Sequence, residues 1–442
     1  MCALRPRQVL LPNVVNIDTL GLRISQSCVP YLLSIVGTNL KTVEIFCNGV
    51  HEPEELLGTM SASLEMLSSY RQLQELHLLG DPGPEGEATI ALSRVLLGGR
   101  PNLTMFDCHN VPLTMESIVY LSTLPTLQEV HMRFPETLNW SSFDVTEVPF
   151  RMTQSLSLTC SVASYTAFAQ RVPLMHIAEF SIHTTALPDP GTYPMLFTSI
   201  RRQFDPSTLS DLTIAADSEQ MAVSVAEEAL NDGILVTSHH LRPLLEFSKL
   251  QHVRVNLPWG FTLDNDFVCD MAKAWTQIRS LYFANELWCL HAPLSTTLLA
   301  LSYFAAYCPD LTNLAIKFDA QAWTEGLPDR RVWEPQVPVP DSYYQVLQGQ
   351  RSTSKLATLS TDYLPIARPE QVALYIMRLF PELRGSWVNW SRDLNSPHEV
   401  EWNKSWSEAW RYMEVMAEIR EDGKRWNLVH VRADHTVLSW PY

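Results

Sequence analysis

Two imidazoles and a carboxylate fall at equivalent points of three successive copies of one short pattern: His77, Asp107 and His131. Each lies four residues past the leucine that opens its copy, namely Leu73, Leu103 and Leu127. Glu75 and Glu129 stand two residues past such leucines, and His109 and Arg133 six residues past. If the copies are neighbouring β-strands in register, residues of equal offset lie about 4.8 Å apart. Three chemistries fit such a set. Imidazoles and carboxylates together are metal-ligand types. A carboxylate between two imidazoles raises their pKa and makes a patch whose charge responds to pH. The third is a solvated polar ladder of hydrogen bonds and ion pairs, which is the commonest fate of such residues on a sheet.

The elements that must position these side chains follow from the pattern itself. Apolar residues recur at offsets 0, 3 and 5, as in Leu40…Val43…Ile45, Leu73…Leu76…Leu78, Leu103…Phe106…Cys108 and Leu127…Val130…Met132. Further copies begin at Ile177, Leu209, Leu250, Ile278 and Leu311, and Pro12-Asn13-Val14 with Ile17 starts the series. Thr153 to Leu158 is a copy without its first apolar residue, and Leu356…Leu359 and Pro381-Glu382-Leu383 are fainter ones. The starts Leu40, Leu73, Leu103 and Leu127, the pair Ile177 and Leu209, and the run Leu250, Ile278 and Leu311 follow one another at between about 24 and 33 residues, enough for a strand and a returning helix. Helical spacing occupies the intervals, including Cys28–Gly37, Glu54–Tyr70, Glu85–Leu97 closed by Gly98-Gly99, and a segment opening at Thr114. One such unit cannot bury both its strand and its helix, so units must stack, with right-handed connections between parallel strands. The expected fold is therefore α/β: a right-handed solenoid over residues 1–385, with parallel strands on the concave face and helices on the convex face.

Residues 217–249 hold extra helical material (Met221–Leu230, then His239–Phe247), with His239-His240 as a surface or capping pair. Gly326–Asp341 is a proline-rich insertion that no central strand tolerates. Residues 386–442 are rich in tryptophan and read as a C-terminal cap: a helix over Ser405–Arg420, then a hairpin from Trp426–Arg432 and Thr436–Trp440. On the strands, offsets 2, 4 and 6 point away from the helices. Candidate partner-binding residues are therefore Glu75, His77, Asp107, His109, Glu129, His131 and Arg133, with His183, His252, Arg254, Tyr282 and Lys317 from later copies.

Composition narrows the function classes. Of 442 residues, 46% are hydrophobic and 18% charged, which suits a packed core, and the net charge of −16 disfavours nucleic acid. The eight cysteines include no C-x-x-C pair, so neither a zinc ribbon nor a redox motif is expected, and no cofactor is implied. The first twenty residues lack the apolar run of a secretory signal, and Leu294–Tyr307 is too short to span a bilayer. A cytoplasmic or nuclear protein that is neither membrane-bound nor nucleic-acid-bound is expected. The G-x-S-x-G elbow, H-E-x-x-H, the P-loop and the dinucleotide fingerprint are all missing from the sequence.

Strand openings such as Cys308-Pro309-Asp310-Leu311-Thr312-Asn313-Leu314-Ala315-Ile316 resemble the leucine-rich repeats of F-box proteins. The long irregular units and the tryptophan-rich tail are similar to those of fungal F-box-like proteins, over roughly residues 12–320. The resemblance implies that the repeats select a protein substrate for a ubiquitin ligase. It also implies an adaptor contact through an N-terminal helical module, for which there is no room before Pro12. The expectation is a non-enzymatic protein-binding scaffold resembling the substrate-recognition part of such a receptor. The alternatives are a hydrolase or metal-dependent enzyme using the His/Asp patch, or a fragment of a larger F-box protein.

Overall fold

The computed structural model describes residues 11–18, 29–47, 63–80, 85–136, 140, 143, 149–172, 175–185, 190–216, 236–257, 261–284, 294–321, 354–361, 364–386 and 397–430. The chain forms two compact units, Met1–Leu250 with Val255–Trp259, and Gln251–Arg254 with Gly260–Tyr442. The boundary expected at residue 385 lies inside the second unit. The Met221–Leu230 helix and the Gly326–Asp341 insertion fall outside the described residues.

In the first unit the chain runs β1 (Asn16–Asp18), α1 (Val29–Ile35), β2 (Thr42–Cys47), β3 (Glu75–Gly80), α2 (Glu85–Arg94), β4 (Met105–Pro112), α3 (Met115–Thr123) and β5 (Glu129–Arg133). It continues with β6 (Ser155–Cys160), α4 (Val162–Arg171), β7 (Glu179–Thr184), α5 (Tyr193–Gln203) and β8 (Asp211–Ala216). The strands lie side by side in chain order, every neighbouring pair parallel. Parallel order follows from the returning helices, since a tight turn cannot join parallel strands. Several helices are started by side-chain caps: Thr114 accepts from Ser117 N–H at 3.4 Å and Ser161 from Ser164 N–H at 3.2 Å.

The register is set by the repeating leucines. Leu40, Leu73, Leu103 and Leu127 are each no more than 1% exposed, and the residues at offsets 3 and 5 are buried with them. Full burial of one such side chain contributes about 1.5–3 kcal/mol, and a one-residue slip would turn the whole set outward. A second device pins the same register. The carbonyl at offset 1 accepts two N–H groups from the next strand: Lys41 from Gln74 and Glu75, Gln74 from Thr104 and Met105, and Thr104 from Gln128 and Glu129. The device persists where the apolar pattern lapses. Gln154 receives Ala178 and Glu179, and the buried Thr153 hydroxyl donates to the Leu127 carbonyl at 3.1 Å.

The helices end against the preceding turn. A Cβ on Gly37 would sit 2.7 Å from the Pro12 carbonyl oxygen, and one on Gly99 would sit 2.7 Å from that of Ser68. Gly98 faces open space, and the left-handed residue that closes this helix is Arg100, with φ of 45°.

The second unit contains β9 (His252–Asn256, through Arg254), α6 (Asn265–Ala274), β10 (Ser280–Ala284), α7 (Leu299–Tyr307), β11 (Asn313–Ala315), β12 (Thr358–Ser360), α8 (Pro369–Leu379), β13 (Gly385–Ser386) and α9 (Pro397–His430). From β10 to β13 the strands again pair parallel in chain order. The faint copies at Leu356 and Leu383 are full members, for the Thr312 and Ala357 carbonyls each accept two N–H groups there. Among the described residues no helix is long and apolar enough to cross a membrane.

Three expectations are corrected. Residues 426–430 belong to the 34-residue helix α9 instead of opening a hairpin, the helix running on through the charged stretch Arg420–Arg425; residues beyond 430 lie outside the description. Asn256 and Ala315, expected to face outward, are 4% and 7% exposed. The short strand β11 carries Ala315 at its end, in register between Tyr282 and Ser360, and its methyl side chain is small enough to be covered there. The tryptophan-bearing helix itself packs as expected: Trp406, Ala409 and Met413 are buried, and Trp406 Nε1 donates to the Leu364 carbonyl at 2.8 Å.

Candidate functional site: a histidine–aspartate cluster on the open sheet face

Strand register places the candidate side chains directly. At offset 4, consecutive strands of the first unit carry Asp18, Glu44, His77, Asp107, His131, Ser157, Ser181 and Thr213. At offset 2 they carry Asn16, Thr42, Glu75, Met105, Glu129, Ser155, Glu179 and Asp211. These residues alternate with the buried set, so they line the face of the sheet away from the apolar core.

Asp107 is the hub. Its Oδ1 lies 3.1 Å from His109 Nδ1 and 3.4 Å from His131 Nδ1, and its Oδ2 lies 4.0 Å from His77 Nδ1. His131 reaches a second carboxylate, with Nε2 3.2 Å from Glu129 Oε1. Glu75 accepts the Thr42 hydroxyl at 3.0 Å. The Asp107 side chain is 13% exposed, against 27% for His131 and 40% for Glu129, so the hub is sheltered and its rim is open.

Burial alone would push the Asp107 carboxyl up. The His109, His131 and His77 imidazoles around it outweigh burial and hold it well below the usual carboxylate range. The Asp107 carboxylate raises both His77 and His131 above an ordinary histidine, against partial burial. Glu44 and Glu75 add to the effect on His77, and Glu129 adds to that on His131. Nδ1 of His77, His109 and His131 and Nε2 of His131 face carboxylates, and among the described residues no group of three or more such side chains is arranged to hold a metal ion.

Seven sequence-derived candidates thus fall in the first unit around this cluster, with one change of geometry. His109 and Arg133 share an offset but are not opposite each other. The ladder shifts between Cys108 and Pro112, so that Pro112 stands opposite Arg133. Proline has no N–H to donate, and the next residue, Leu113, makes the bond to the Arg133 carbonyl at 3.0 Å. The freed segment lets the Asn110 carbonyl accept the Arg133 guanidinium at 3.3 Å, and His109 bends back onto Asp107. His183 lies two strands from Arg133, in the row Arg133, Thr159, His183, Ala215.

His252, Arg254, Tyr282 and Lys317 form a separate set in the second unit, where the Arg254 guanidinium carbon lies 5.2 Å from the centre of the Tyr282 ring. The His239-His240 pair is structural: His240 Nδ1 accepts the Thr237 N–H at 3.2 Å in a capping box. Asp18 was not among the candidates, although Asn16-Ile17-Asp18 follows the same offsets as Thr42-Val43-Glu44 and so signals its place. Compared with models of known protein families and with curated proteins, the chain matches none.

Proposed function

We propose that the chain is a non-enzymatic protein-binding scaffold of the leucine-rich-repeat type, a right-handed solenoid whose strands line the concave face. In this reading a partner docks across the open sheet face of the first unit, as a substrate does on the recognition half of an F-box ubiquitin-ligase receptor. The observation that carries it is the pair of polar rows at offsets 2 and 4, held at fixed spacing by a continuous ladder. A rigid sheet offers such a face with little ordering cost on binding. The excess of carboxylates in these rows (Asp18, Glu44, Glu75, Asp107, Glu129, Glu179 and Asp211) favours a partner with a basic segment.

Partners recovered with the full chain from its native cell supply the material for the test. The charge reversals Glu75→Lys and Glu129→Lys should weaken a recovered partner's binding at least about tenfold, or about 1.4 kcal/mol, while Arg133→Glu should strengthen or preserve it. Circular dichroism should be unchanged in all three. Undiminished affinity in Glu75→Lys/Glu129→Lys would remove the docking face from this sheet. A ligase adaptor among the partners would extend the reading to ubiquitin ligation.

A further inference from the structure

His131 stands between two carboxylates, Asp107 at Nδ1 and Glu129 at Nε2. An ionised carboxylate only accepts hydrogen bonds, so both ring nitrogens must carry protons for both contacts to hold. The arrangement is therefore that of an imidazolium, and losing one proton to solvent must release one of the two carboxylates. Asp107 is sheltered and also held by His109 and His77, whereas Glu129 sits on the rim with His131 as its ion-pair partner in the cluster. Glu129 is the group set free.

We propose that His131 is a proton-operated mask on Glu129: its imidazolium covers the carboxylate in mild acid, and its neutral form exposes it to a basic peptide segment. This rests on the reading of the sheet face as a docking surface and adds its regulation. The charged and titratable groups facing His131 and its neighbour His77 are Glu44 on β2, Glu75 on β3, Asp107 and His109 on β4, and Glu129 and Arg133 on β5. The β6 strand contributes the uncharged Ser155, Ser157 and Thr159. Carboxylates dominate this set, so the masked form is favoured over an ordinary histidine's range. The raised pKa of His131 agrees. Unmasking then falls above an ordinary histidine's range, and a change in pH through the ring's own titration has the largest effect.

The test uses the full chain and a fluorescein-labelled arginine–serine peptide, whose charge does not change over the range. Its anisotropy is followed from about pH 8.5 to about pH 5.5 at constant ionic strength. Affinity for the native chain should fall at least about tenfold with acidification, and that of His131→Asn by less than about twofold. The midpoint should coincide with the titration of the His131 ring protons seen by NMR in the native chain, which needs no variant to fold. Equal affinity across the range, an equal fall in His131→Asn, or a midpoint apart from the ring titration would each overturn the mask while leaving the docking face standing. A peptide that fails to bind at about pH 8.5 would instead remove the docking face, and the mask with it.

Discussion

Gly98 and Gly99 are adjacent, of one residue type and in one helical turn, yet a methyl group added to each should have opposite effects. At Gly98 a Cβ meets nothing within 4 Å. Replacing glycine by alanine there restricts the unfolded chain and should stabilise by about 0.5–1 kcal/mol. At Gly99 the same atom would lie 2.7 Å from the Ser68 carbonyl oxygen, 3.1 Å from its Cα and 3.2 Å from its carbonyl carbon. All three are backbone atoms, so no side chain can swing away. The Ser68 segment would have to retreat by several tenths of an ångström. It leads into Tyr70, whose hydroxyl donates to the Leu33 carbonyl at 2.6 Å, so the strain reaches the preceding repeat. Overpacking of this kind costs about 1–3 kcal/mol, which exceeds the backbone gain. The backbone gain is common to both, so Gly99→Ala should be less stable than Gly98→Ala by about 1–3 kcal/mol. Urea denaturation followed by circular dichroism reads the difference as a shift in midpoint at unchanged slope. Coincident midpoints would show that the turn around Ser68 is not packed against this helix end, and the close stacking of repeats would fail with it.

Asp107→Asn should destabilise the first unit in a pH-dependent way. The raised His77 and His131 contribute stability that is complete below an ordinary histidine pKa and lost as pH rises through their folded values. The depressed Asp107 contributes stability above the ordinary carboxylate range, lost only in strong acid. The deficit of the variant should thus be largest, about 1–3 kcal/mol, between about pH 4 and pH 6.5, and shrink towards about pH 8.5. Equal urea-midpoint deficits at about pH 5.5 and 8.5 would refute this assignment. In the second unit, Trp406→Ala should cost about 3–5 kcal/mol, since the indole is buried, donates to the Leu364 carbonyl and meets the Phe318 ring edge-on at 6.0 Å. Limited proteolysis should then cut within α9 faster than in the native chain; unchanged cleavage would mean that the helix is held elsewhere.

The strands were legible because one physical demand, burial of offsets 0, 3 and 5, repeats at each of them. Thr153 shows where that signal thins: a polar residue takes the leucine's place, and only its bond to the Leu127 carbonyl explains how. The backbone device at offset 1 left no trace in the sequence, since any residue supplies a carbonyl, and it is what makes Leu356 and Leu383 true copies. Gly98-Gly99 was legible as a helix end but for an incomplete reason. Closure needs the left-handed Arg100, while Gly99 serves close approach to Ser68. Residues 426–430 form helix where a strand was expected, because alternating apolar residues there suit a short strand as well as a helix face.

The cluster around Asp107 was legible for a further reason. Its members are far apart in sequence, and no motif joins them; equal distance from a buried leucine does. Register converts that distance into position, so His77, Asp107 and His131 had to be neighbours once Leu73, Leu103 and Leu127 were. The rule fails where the ladder breaks. His109 shares Arg133's offset, yet the shift before Pro112 separates them and turns His109 back onto Asp107, giving the hub its shortest contact. The irregular strand thus completes what the regular ones begin. A third imidazole on the same carboxylate keeps Asp107 anchored when His131 gives up a proton, so it is Glu129 at the rim, and not the sheltered aspartate, that deprotonation exposes.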